Sequence, residues 1–134
     1  MSAPTVDHLP WAHPSPFIDR LGDLRRHAGD PHRFGFVVDE PKLNGRGFLH
    51  GGAVATIADV CIGHALSAAA TEPATRFVTV DLKVTLVGTG EAGAWVDVVV
   101  EPERIGRRLA SGTARFRAGD RTIAHASAVF LPAG

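Results

Sequence analysis

The chain has no tyrosine, a single cysteine and no excess of charge of either sign. Each shortage excludes something. Lysine plus arginine equals aspartate plus glutamate at 14 each, so no net field exists to hold a nucleic acid or an acidic membrane surface non-specifically. Cys61, standing alone, cannot form a disulfide within the chain, which fits a reducing, cytoplasmic setting. The lack of tyrosine removes one type of phenol-binding group. The opening MSAPTVDHLPWAHPSPF carries no apolar stretch of the kind a signal peptide needs, so none is expected. Histidines stand at 8, 13, 27, 32, 50, 64 and 125 without paired ligand spacing, so no metal is expected.

What is present is one domain's worth of chain: 134 residues, 45 % hydrophobic. Its densest apolar run is HGGAVATIADVCIGHALSAAA at 50–70. Between Ala53 and Ala70 the only polar side chains are Thr56, Asp59, His64 and Ser67. The run predicts a helix from about Gly51 to Ala69, apolar on nearly every side and therefore buried. Its length approaches a membrane span, but Asp59 and His64 would both be costly in lipid, so it reads as the core helix of a protein with no membrane partner. A carboxylate in such a helix is costly unless something pairs with it or uses it.

Around that helix the pattern changes. Residues 1–16 hold Pro4, Pro10, Pro14 and Pro16 and predict an irregular arm. Phe17, Leu21 and Leu24 share a helical spacing and predict a short amphipathic helix over 17–28. FGFVVD at 34–39 predicts a strand, followed by the loop PKLNGRGF. After the long helix the period falls to two, and 77–87, 94–104, 107–117 and 122–131 predict four successive strands joined by the short turn signals GTGEAG, IG and AGD. One apolar helix and an antiparallel sheet make an α+β architecture in which the sheet curls around the helix. The expected division is an arm with a short helix over 1–33 and the domain proper over 34–134.

The stretch PKLNGRGFLHGGAVATIAD, with Asn44, His50-Gly51-Gly52 and Asp59 nine residues after the histidine, resembles the hotdog-fold acyl-CoA thioesterases. Its nearest likeness is to the phenylacetate-degradation type, relatives of the 4-hydroxybenzoyl-CoA thioesterases. FVTVDLKVTLV and RIGRRLASGTARFR extend the resemblance, which covers roughly residues 34–131. It implies a curved antiparallel sheet wrapped around one central helix, homodimers with a continuous sheet that often pair into homotetramers, and hydrolysis of an acyl-CoA thioester. It implies no metal and no separate cofactor, since coenzyme A is part of the substrate.

The resemblance also implies roles. Asp59 is the catalytic base or nucleophile, and the sequence does not decide between them. The Gly51 N–H, at a helix N-terminus beside Gly52, is the oxyanion donor. His50 orients or polarises the substrate near sulfur, and Asn44 helps hold the water or the carbonyl. Relatives carry a serine or threonine where this chain has Gly63, and Thr79 is the candidate substitute. Arg107 and Arg108 lie in the coenzyme-contact region. Each residue has a plainer reading beside this: a structural Asp59 bonded to Thr56, glycines for a tight turn, His50 as an ordinary helix-start residue, Asn44 as a turn residue, and solvated arginines. By strict alternation Asp81 and Lys83 share the side of Thr79, lining the site or facing solvent. His64 falls about 140° from Asp59 and reads as a core or interface residue.

One geometric expectation is independent of any family. Eight residues separate Gly51 from Asp59, about 12 Å along a helix, too far for both to act on one carbonyl. Either they do not cooperate, or two chains build the site. The alternative functions are a hotdog-fold acyl-thioester dehydratase, which wants a histidine paired with a carboxylate, and a non-catalytic acyl-CoA-binding protein.

Overall fold

The computed structural model describes residues 3–13, 15–70 and 76–133. Chain order gives β1 (His8–Pro10), α1 (Pro16–Asp19), β2 (Arg25–His27), β3 (Asp30–Val37), a 3-10 turn at Glu40–Lys42, α2 (Gly51–Ala69), β4 (Arg76–Leu86), β5 (Trp95–Ile105), β6 (Ala110–Ala118) and β7 (Arg121–Ala133). The seven strands form one sheet in the order β1-β2-β3-β5-β6-β7-β4, with every neighbouring pair antiparallel. α2 packs against β3, β4, β5, β6 and β7 together, which requires the sheet to curve around it. This is the hotdog arrangement.

α2 runs over the residues its composition predicts. Ile57, Ala58, Cys61, Ile62, Ala65 and Leu66 are fully buried in it, against Phe34, Phe36, Val96, Val98 and Phe116 of the sheet. Burying Ile57, Ile62 and Leu66 is worth about 2 kcal/mol each. Burial also pushes the Cys61 thiol up, so it stays protonated and serves as packing. The helix is long and apolar enough to cross a membrane by length and composition, but here that apolarity faces its own sheet. The opposite side, carrying Thr56, Asp59, Val60, Gly63 and His64, is only half-covered, so the expectation of burial on every side fails there.

Three expectations about the elements need correction. The helix over 17–28 is confined to Pro16–Asp19, capped by the Ser15 hydroxyl, which accepts from the Ile18 N–H at 3.1 Å. It stops because Gly22 takes φ +80° and the Asp39 carboxylate occupies the space where a side chain would stand. Residues 25–27 then extend into β2, so the N-terminal segment joins the common sheet, and β3 begins at Asp30, ahead of the division expected at 33/34. Second, β4 does not form a hairpin with β5. It pairs with β7 at the far edge, and the GTGEAG connection crosses the start of α2, where Gly90 O accepts from the Leu49 N–H at 2.8 Å.

The third correction concerns β4 itself. Thr79 pairs with Phe130 and Asp81 with Val129, leaving Val80 as an extra residue in a bulge. One added residue reverses the alternation. Thr79 points at α2, whereas Asp81 and Lys83 follow Val129 and Ser127 onto the outer face, where Lys83 lines a shallow groove with Thr113 and Arg115. Asp81 and Lys83 therefore do not share the side of Thr79.

Candidate active site

The start of α2 is a tightly tied loop. Asn44 Oδ1 accepts from the N–H groups of Arg46 and Phe48 at 2.9 and 3.1 Å, and the Asn44 N–H donates to Phe48 O at 2.7 Å. The Asn44 carbonyl is thus spent on the turn, and its amide NH2 is the group left to meet a ligand. The His50 N–H donates to Lys42 O at 2.7 Å. Lys42 is fully buried, forms an ion pair with Asp39 at 2.5 Å and lies 5.4 Å from the Phe36 ring centre. Asp39 in turn accepts from the Asp23 N–H. A buried lysine paired in this way fixes the loop to the core from below, and removing one partner of such a pair strands the other.

His50 is the N-cap of α2. Its Nδ1 accepts from the Gly52 N–H at 2.8 Å, so the neutral ring carries its proton on Nε2 and presents it outward. The two glycines therefore differ. Gly52 has its N–H taken by the cap. Gly51, the first residue of the helix, has an N–H with no acceptor among the described residues. Of the pair, Gly51 alone offers a free donor at the positive end of the helix. Asn44 and Gly51 open together on a cleft of about 330 Å³, bordered by Leu86, Thr89 and Gly90.

Asp59 sits two turns further on, half-buried, and opens on a different cavity of about 790 Å³ that it shares with Thr79. The Thr79 hydroxyl donates to Asp59 Oδ1 at 2.5 Å. Thr56 is not its partner, because Thr56 Oγ1 donates back to Gly52 O at 3.0 Å. Among the described residues no cation pairs with Asp59 and no histidine is bonded to it. Gly63, one turn on, lies where a Cβ would stand 3.3 Å from the Phe130 ring, so any side chain there would press on that ring.

Arg107 and Arg108 occupy the β5–β6 turn, exposed, around a hollow of about 390 Å³ that also includes Arg104. Ala110, just after the turn, pairs with Phe130, and Phe130 pairs with Thr79. The arginine turn is therefore at the same end of the sheet as Thr79, with Ala110 two strands away, about 10 Å at the usual strand spacing.

The structure thus divides the expected site residues into three groups: Asn44, His50, Gly51 and Gly52 at the helix start, Asp59 with Thr79 on the half-open side, and Arg107 with Arg108 beyond the sheet end. Three residues with no assigned part join the second group. Trp11, His13 and His64 line the Asp59 cavity. Burial, with His13 and Arg26 nearby, holds His64 below the ordinary histidine value, which favours its neutral form. Among the described residues no cluster of three metal-ligating side chains occurs.

Comparison with known proteins gives a consistent picture. The family model of the thioesterase superfamily matches residues 46–125. A Pseudomonas aeruginosa protein named Putative esterase PA0474 is 36 % identical over 123 residues, covering 90 % of this chain and 91 % of its own. Among solved structures, zebra fish thioesterase superfamily member 2 superposes with a TM-score of 0.77 at 26 % identity, over 90 % of this chain and 88 % of that one. A hypothetical thioesterase protein of Streptococcus pneumoniae, solved with coenzyme A, superposes with a TM-score of 0.69 over 76 % of this chain and 80 % of its own; at 18 % identity it speaks for the fold.

Proposed function

The chain belongs to the thioesterase superfamily, and we propose that it hydrolyses the thioester of an acyl-CoA to a free acid and coenzyme A. The observation that carries this reading is the Asp59 carboxylate, set in an apolar helix, bonded to Thr79 and opening on a large cavity, with no cation paired to it among the described residues. Water supplies the oxygen that forms the new bond to the carbonyl carbon, and the C–S bond breaks with the sulfur leaving as the thiol. Asp59 either takes the proton from that water or attacks the carbon first; both routes need the same charged oxygen. The Gly51 N–H steadies the oxyanion that develops on the carbonyl. The coenzyme A held by the Streptococcus pneumoniae relative supports a coenzyme A thioester as substrate.

In this reading two copies of the chain build each site. Gly51 and Asp59 face different clefts of one chain, and the side of α2 between them is half-open. The free edge of β4 beside it exposes Val78, Val80, Leu82 and Leu86. Unpaired edge strands with apolar side chains favour pairing with another strand. A second copy related by a two-fold axis, β4 to β4, covers that face and brings the partner's helix start to Asp59. Further pairing of dimers into a tetramer is part of the same proposal.

The test is release of free thiol from a panel of acyl-CoA substrates, run beside loss of enoyl absorbance from an enoyl-CoA. The expected result is thiol release without hydration of the double bond. Hydration without thiol release would support a dehydratase instead. The same assay tests the arginine turn. Replacing Arg107 and Arg108 together by alanine is expected to raise KM several-fold with a smaller change in kcat, and the wild-type KM should rise with salt. An unchanged KM in the double variant would put the nucleotide elsewhere.

A further inference from the structure

The family match begins at residue 46, yet part of the Asp59 cavity is made by residues far ahead of it. The N-terminal arm is fastened to the fold at several points. β1 pairs with β2, and β2 with β3. The Trp11 N–H donates to Leu24 O at 3.0 Å, its indole N–H donates to His13 O at 2.9 Å, and Ile18 and Leu24 are buried in the core. Trp11 is thereby held with its ring 5.2 Å from His64 and 5.9 Å from Phe34, while the His13 ring lies 5.0 Å from His64. His64 follows Asp59 by five residues on α2, about 7.5 Å along the axis.

The consequence is an open cavity with two distinct ends. Asp59 and Thr79 stand at one, and Trp11 and His13 against His64 at the other; Phe77, Phe130, Ser67 and Arg76 also line it. Gly63 adds no side chain to fill the floor. The wall at the far end is formed by the Trp11, His13 and His64 rings, and burial lowers the His64 pKa, which favours its neutral form. Such a wall accepts an uncharged hydrocarbon and stops it by contact.

We propose that Trp11 and His13 form the end wall of the acyl-binding cavity and set the length of the acyl group that this chain accepts. The proposal rests on the acyl-CoA reading for its occupant, but its test is separate from turnover. Non-hydrolysable S-alkyl-CoA thioethers, from S-ethyl to S-decyl, report chain length through binding alone. For the wild-type chain, affinity is expected to stop rising partway along the series, where the alkyl end meets Trp11. In Trp11→Ala the affinity ratio of S-decyl-CoA to S-ethyl-CoA is expected to rise at least about tenfold, because each accommodated methylene is worth a sizeable factor in an apolar pocket. His13→Ala, which removes an exposed ring outside the core, should shift the ratio the same way by less. Trp11→Phe keeps the packing against Phe34 and guards against a folding defect; an intermediate shift is expected. An unchanged ratio in folded Trp11→Ala and His13→Ala, or no thioether binding at all, overturns the proposal. Turnover of the matching acyl-CoA series is measured in parallel. A length shift without thiol release from any protein would leave the wall in place and sink the hydrolase reading.

Discussion

Asp59→Asn is expected to lower kcat for acyl-CoA hydrolysis at least about a hundredfold while acyl-CoA binding is largely kept. The substitution preserves shape. The Asn carbonyl oxygen can still accept the Thr79 hydroxyl in place of Asp59 Oδ1, so the side chain keeps its position. The carboxylate has no ion pair to lose among the described residues, and it is half-buried rather than sealed in the core. The fold should therefore tolerate the change, as circular dichroism would check. What is lost is the negative oxygen that acts on water or on the carbonyl carbon. Steady-state kinetics on the purified variant decides the matter, and near-wild-type turnover would make Asp59 a structural residue.

The fold was legible where side-chain periodicity and burial agree. α2 begins and ends where the apolar run does, because nearly every residue in it is small or apolar and its start is marked by glycine. β5, β6 and β7 alternate over most of their length, with one face on the helix and one outward, broken by bulges at Glu103 and Ile123. The failures occur where tertiary contacts override local pattern. Phe17, Leu21 and Leu24 satisfy a helical spacing, but Gly22 at a left-handed φ, with the Asp39 carboxylate from seventeen residues on standing where a side chain would be, ends the helix early. The pairing of β4 with β7 instead of β5 depends on which strands the curved sheet brings together. Nothing within 77–94 records it. The bulge at Val80 is equally silent in FVTVDLKV, and it alone moves Asp81 and Lys83 to the other face.

The candidate site was legible in the same uneven way. Asp59 announced itself as a charge in an apolar helix, and Gly51 as a glycine at a helix start. The link between Thr79 and Asp59 came from the family resemblance, and the hydrogen bond gives that pairing a physical basis. That Gly51 rather than Gly52 keeps its N–H free follows from the His50 ring turning back to cap the helix, a rotamer no sequence specifies. Nothing in PKLNGRGF marks Lys42 for burial, yet it is buried beneath the loop that it secures. Trp11 and His13 reach His64 across about fifty residues of sequence, so their part in the cavity emerges only once the arm is folded against α2.

Complementation between two inactive chains probes the shared site most directly. One chain carries Asp59→Asn. The other carries Gly51→Pro, which removes the N–H donor at a position where a helix accepts proline. His50 is extended, at φ −72° and ψ 134°, as a residue before proline prefers. A Cβ at Gly51 would meet only the flexible end of the Leu86 side chain, at 2.7 Å, which is more than half exposed in the single chain. Each homodimer is expected to be inactive. In a heterodimer, one site combines the intact Gly51 of the first chain with the intact Asp59 of the second, while the other site carries both lesions. Co-refolded, purified heterodimers should therefore recover up to about half of wild-type thiol release, one site of two being restored. Folded heterodimers that remain as inactive as their parents would contradict the claim that Gly51 and Asp59 of two chains act on one thioester.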